Sequence, residues 1–236
     1  MGLAIGSNTI KFVEKKGIQF FEGFNATVKN EKPVRVFFDG DMDKCASIHV
    51  NDQKGKRLGF YDLEFHKPNN RSMEGVQLYA DSPNENVGEV LSLAALIEFS
   101  KNRLNNFRLF SFKETLPFHA RFGFILDNDN PDFILKALNY IKKSKLKYID
   151  EIKYKANFFY PKIEHSEEYL KEDKFLLERG CKVISDYLKH LSRNNIRKNV
   201  PPFENGSFVK FTDWEFETNR RYLNPLLEKH HIDYRF

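Results

Sequence analysis

The chain is poor in cysteine. Cys45 and Cys181 are the only two in 236 residues, and no CxxC pair is present. That is too few for a small secreted fold stapled by disulfides, and the spacing excludes the common zinc and dithiol motifs, so the expectation is a reducing, cytoplasmic setting. Long apolar runs are also missing. The longest, Val90 to Phe99, is broken by Ser92 and Glu98 and is far short of a bilayer span, which argues against a membrane protein. The opening Met1-Gly2-Leu3-Ala4-Ile5-Gly6-Ser7 has neither the basic flank nor the apolar core of a signal peptide. Metal-ligand patterns are absent as well. Asp39-Gly40-Asp41-Met42-Asp43 lacks the spacing and closing Glu of a calcium loop, and His230-His231 with Asp233 lacks a further ligand, so no metal site is expected.

What is present is an ordinary globular composition, 41% hydrophobic and 30% charged, with 24 phenylalanines to fill a core. The net charge of +5 is uneven, because residues 131–200 hold 16 Lys and Arg against 10 Asp and Glu. Solvated helix faces explain this imbalance. A phosphate-tracking surface made of Ile141 to Tyr148 and Lys189 to Lys198 ranks last, because no nucleic-acid motif accompanies it.

Periodicity becomes readable at Lys44. Cys45 to Val50 and Arg57 to Phe65 predict a hairpin across Asn51–Gly55, and Met73 to Ala80 a third strand. Asp81-Ser82-Pro83-Asn84-Glu85-Asn86 is dense in turn formers, and Val87 to Lys101 is apolar almost all round, the mark of a helix buried against a sheet. Phe107 to Phe112 and Phe122 to Leu126 predict further strands. Strand, loop, buried helix and strand make a βαβ unit. Asn130-Pro131 predicts a capped helix to about Lys147, and Ser166 can cap a longer one to about Arg193. Ser207 to Glu217 predicts a last strand.

This order of elements, with two of its segments, resembles the GNAT-type N-acetyltransferase superfamily, of which the chain looks like a divergent member. The family's third strand ends in a loop written Arg/Gln-x-x-Gly-x-Gly/Ala, followed at once by the long helix. Val87-Gly88-Glu89-Val90 and the residues to Phe99 are similar to the end of that loop and its helix, while Asn86 stands at the first Gly and Pro83 at the Arg/Gln. Pro117-Phe118-His119-Ala120-Arg121-Phe122-Gly123-Phe124 is similar to the family's aromatic-Tyr-x-Lys/Arg-x-Gly-Phe signature, with His119 at the Tyr.

The resemblance implies an α/β fold with a GNAT-like mixed central sheet, a buried coenzyme-side helix and a helical C-terminal half. It divides the chain into a coenzyme-binding core over residues 1–128, a helical insertion or appendage over 129–206, and a returning strand with a tail over 207–236. The implied activity moves an acetyl group from acetyl-CoA to an amine acceptor, with the helical half shaping the acceptor site or an oligomer interface. Leu78, Tyr79, Ala80, Asn86, Val87, Gly88 and Glu89 are the implied coenzyme-binding residues, His119 the implied proton donor to the coenzyme thiolate and Glu74 the implied base, with Glu64 its alternative. A helix N-terminus favours a pyrophosphate, Gly88 keeps bulk away from it, and Asn86 tolerates positive φ in place of glycine. The loss of the two loop residues also leaves open a module of the same fold that has lost catalysis.

Overall fold

The computed structural model describes residues 9–15, 17–39, 46–66, 71–82, 85–165, 173–196 and 198–236. Cys45, Pro83, Asn84, Ser166 and residues 40–43 of the acidic loop lie outside them. Among the described residues nine strands and six α-helices give a mixed α/β fold, and the chain divides into two compact units.

The first unit holds residues 1–107 and 212–236. Its strands β1 (Lys11–Lys15), β2 (Ile18–Val28), β3 (Lys32–Asp39), β4 (Ala46–Asp52), β5 (Arg57–His66) and β6 (Ser72–Ala80) lie side by side in chain order, each antiparallel to the last. Alternation sets their two faces. Val36, Ile48, Val50, Tyr61 and Leu63 are buried on one side, against helix α1 (Val87–Lys101). Leu91, Leu93, Leu96 and Ile97 of α1 are wholly buried, so the helix is enclosed on its other side too. There Phe216 of helix α6 (Asp213–Lys229) meets Phe99 at 6.1 Å between ring centroids. Each such side chain contributes roughly 1.5–3 kcal/mol by leaving water, which makes α1 the centre of the core. The helix can lie close to β5 because Gly59 has no side chain. A Cβ there would stand 2.9 Å from Val87 Cγ1 and 2.6 Å from the Tyr79 carbonyl oxygen.

The second unit holds residues 108–211. Strand β7 (Asn106–Phe112), which begins in the first unit, is followed by α2 (Leu116–Phe122), β8 (Ile125–Leu126), α3 (Pro131–Lys143), α4 (Asp150–Glu164), α5 (Lys174–Arg193) and β9 (Gly206–Thr212). Strand β9 lies antiparallel beside β8, with Lys210 opposite Ile125 and Val209 opposite Leu126. Helix α5 is the axis of this unit. Gly180 admits Ile134 of α3 and Ile163 of α4, and an added Cβ would meet them at 2.6 and 3.0 Å. Ser185 Oγ accepts the Leu126 amide at 2.8 Å and donates to the Cys181 carbonyl at 2.7 Å, tying α5 to β8.

Several sequence expectations change. The strand expected over Phe122–Leu126 shrinks to Ile125–Leu126, because Pro117 opens α2 rather than interrupting the chain. The strand expected over Ser207–Glu217 stops at Thr212, where α6 takes over. Three helices rather than two separate β8 from β9. Asn130 does cap α3 as read, its Oδ1 accepting the amides of Asp132 and Phe133 at 3.0 and 3.3 Å.

Candidate coenzyme site and its surroundings

The loop between β6 and α1 is held at both ends by main-chain bonds. The Asp81 amide donates to the Leu58 carbonyl at 2.8 Å, and the Lys29 amide to the Glu85 carbonyl at 3.0 Å. Asn86 sits in the left-handed region, φ 63° and ψ 16°, where a side chain other than Asn, Asp or Gly is strained. The residue that stands at the family's first loop glycine therefore adopts a conformation that glycine would favour. Its carbonyl accepts the amides of Glu89 and Val90 and so starts α1, and no side chain caps the helix. The first turn thus ends in a positive dipole, and the Asn86 carboxamide at the capping position makes no bond to its amides. Gly88 is half-buried while Val87 and Glu89 on either side are buried. Gly59, on the neighbouring strand, is a position whose missing Cβ lets the helix pack on the sheet.

Glu89 does not face solvent. Its Oε1 receives Lys229 Nζ at 2.6 Å and His230 Nε2 at 2.7 Å, and both the Glu89 and His230 side chains are 2% exposed. The other ring nitrogen of His230 lies 2.6 Å from the Thr27 carbonyl, and the Thr27 amide donates back to the His230 carbonyl at 2.9 Å. Both ring nitrogens therefore lie within hydrogen-bond reach of an oxygen. The chain's last turn of helix is thereby bolted to the first turn of α1. His230, which the sequence shows only as one of two adjacent histidines, is a structural partner of Glu89, and no group of residues suited to a metal occurs among the described residues. No spacing rule could have paired residues about 140 positions apart.

The three strand residues expected near the coenzyme divide between two faces. Leu78 and Ala80 stand opposite Tyr61 and Gly59, on the α1 side, whereas Tyr79 stands opposite Phe60 on the other side and is 46% exposed. Pairing of β5 with β6 skips Val76, so Asp62 faces Gln77 while Leu63 faces Gly75. Such a bulge turns neighbouring side chains to new directions and is common beside active sites. Two residues from it, Glu74 lies opposite Glu64 and 3.5 Å from His66 Nε2, with both ends of that ion pair well exposed.

His119 belongs to the second unit. It sits in α2 at 7% exposure, with Phe118 and Phe124 meeting its ring edge-on at 5.1 and 5.8 Å. Burial pushes its pKa down to about 4, so the ring is neutral at pH 7 and offers one N–H rather than a labile imidazolium proton. Gly123, at φ 107°, ends α2 in the left-handed conformation and turns the chain into β8.

No protein-family model matches the chain, and no curated protein matches it significantly. Among solved structures it is similar to the PaiA N-acetyltransferase of Thermoplasma acidophilum in complex with coenzyme A, at 18% identity and a TM-score of 0.32, over 36% of this chain and 54% of that one. The chain therefore spans about half the length of that structure. Nourseothricin acetyltransferase is similar at 13% identity and a TM-score of 0.33, over 49% of this chain and 82% of that one. Tetrahymena GCN5 is similar at 10% identity and a TM-score of 0.36, over 72% of this chain and 69% of that one. The solved structures that this chain is similar to, at low sequence identity, thus include two acetyltransferases.

Proposed function

We propose that this protein is an acyltransferase that takes an acetyl group from acetyl-CoA and passes it directly to an amine in a ternary complex. The observation that carries the reading is the left-handed Asn86 opening an uncapped α1 at a half-buried Gly88, directly after β6. A pyrophosphate is favoured by the dipole of a helix N-terminus and by little side-chain bulk beside its amides. In this reading the main chain of Leu78, Tyr79 and Ala80 lines the thioester arm, and the first turn from Asn86 to Glu89 receives the diphosphate. The acceptor nitrogen attacks the thioester carbon, the C–S bond breaks, and the coenzyme leaves as thiolate. Glu74 takes the proton that the amine sheds. His119 donates its N–H to the sulfur as charge builds there, a role open to a neutral imidazole.

The first test is thermal. Acetyl-CoA at 1 mM should raise the melting temperature, and a Kd near 10 μM would stabilise the fold by about 2.7 kcal/mol. Gly88→Val should abolish most of that rise. No shift at millimolar acetyl-CoA would sink the proposal. The second test is kinetic. His119→Ala should lower turnover about 10²-fold, the scale of one lost donor at a developing anion, with coenzyme affinity nearly unchanged. Because the ring is already neutral, no step in the pH–rate profile between pH 5 and 8 should vanish in that variant. Full turnover in His119→Ala would remove the residue from the mechanism. The neutral state of His119 also favours a second reading, a module that binds the coenzyme without transferring the acetyl group. It predicts the thermal shift with no turnover for any amine.

A further inference from the structure

The face of the first unit's sheet that turns away from α1 is ordered in rows. Strand register places Phe37 of β3, His49 of β4, Phe60 of β5 and Tyr79 of β6 directly opposite one another. Their ring centroids follow at 5.3, 6.4 and 5.6 Å, so the four aromatics form one continuous row across the strands. At strand spacing the row is about 15 Å long. Next to it runs a second row, Asn25, Arg35, Asn51 and Arg57, in which both arginines are exposed and Arg57 lies 5.2 Å over the Phe60 ring. On the opposite flank stand Asp39, Ser47, Asp62 and Gln77, with Ser47 Oγ donating to Asp62. Within this unit both helices pack on the other face, α1 against the strands and α6 against α1.

Cross-strand aromatic pairs stabilise any sheet, but that does not explain why one flank of the row is basic and the other carboxylate. We propose that this face binds single-stranded nucleic acid, with the sugar–phosphate backbone along Arg35 and Arg57 and two or three bases stacked on the aromatic row. Two rules of chemistry meet here. Aromatic rings bind bases of any sequence through their faces, and guanidinium groups take phosphates in bidentate fashion. The carboxylate flank then meets the base edges, so it accepts hydrogen bonds from exocyclic amino groups. Cytosine presents such a donor and uracil presents a carbonyl oxygen in the same place, so the face prefers cytosine. The basic half of the chain plays no part in this proposal, which also does not depend on acetyl transfer.

The experiment is fluorescence anisotropy of the full chain with labelled 12-nucleotide oligocytidylate and oligouridylate at 50 mM salt. Oligocytidylate should bind, more tightly than oligouridylate, and binding should weaken as salt rises. Arg35→Glu with Arg57→Glu should lower affinity more than 10-fold, and Tyr79→Leu about 5-fold or more, the range for one lost stacking platform. The charge reversals lie on the surface, and unchanged melting temperatures would show that these variants are folded. Lys145→Glu with Lys147→Glu, in the second unit, should have little effect beyond a general loss of positive charge. The proposal is overturned if neither oligonucleotide binds at 100 μM protein, if the Lys145 and Lys147 pair accounts for binding and the arginines do not, or if oligouridylate binds better. Each of these results leaves the acetyl-CoA thermal shift untouched.

Discussion

His230→Ala will destabilise the protein by about 3–5 kcal/mol, the usual loss when one member of a buried ion pair is removed. The imidazole does three things at once. It bonds Glu89 Oε1, bonds the Thr27 carbonyl, and fills space at the junction of β2, α1 and α6. With the ring gone, a carboxylate with 2% exposure loses its buried partner, and Lys229, whose own side chain is 45% exposed, gives a weaker, water-screened one. Denaturant titration measures the loss. A double variant, Glu89→Leu with His230→Leu, should recover much of it, because the cost arises from the stranded charge more than from the missing pair. If His230→Ala loses less than about 1 kcal/mol, the pair is not carrying the junction. The same lesion should weaken the acetyl-CoA thermal shift, since Glu89 lies in the first turn of α1 and its anchoring sets where Gly88 points.

The features that the sequence disclosed are those in which a few neighbouring residues decide the outcome. Helix α1 follows from its own apolar residues, the left-handed Asn86 from the one side-chain type in that loop suited to positive φ, and the start of α3 from Asn130-Pro131. Strands β1 to β3 were not read, although Gly17 at φ 74° marks the turn between the first two and Val34-x-Val36 alternates. Their faces make sense only when β4 and β5 supply the neighbours. The start of helix α6 reads in the sequence as the end of a strand, because Phe208, Phe211 and Trp214 suit either period. The deciding signal is Thr212-x-x-Glu215, the residue pattern of a helix start, where Thr212 Oγ1 donates to the Glu215 carboxylate without capping the helix. The clamp on Glu89 and the aromatic row across four strands were illegible, because both are made of residues far apart in the chain. His119 stands between these cases. Its position was readable from the residues around it, but its neutral state follows from burial, which composition does not report.

Glu98→Gln will remove a pH dependence that otherwise erodes the fold between pH 5 and 8. Glu98 lies in α1 with no exposed surface, and burial raises its pKa to about 8 from the ordinary 4.5, although the Phe21 amide donates to it at 2.9 Å and Asn102 at 3.3 Å. Between those two values the folded state holds a proton that the unfolded state has released. Stability must therefore fall as pH rises through this window, at up to about 1.4 kcal/mol per unit, and level off above it. The full stabilising effect of the neutral carboxyl is present only below about pH 4.5. Glutamine keeps an oxygen for the Phe21 amide and cannot ionise. At pH 5 the variant should match the parent, and at pH 8.5 it should exceed it by several kcal/mol. The comparison is a series of urea titrations of both proteins from pH 5 to 9. Parallel stability curves across that range would mean that Glu98 is ionised in the folded protein at neutral pH, held there by the Phe21 amide and Asn102 against the cost of burial.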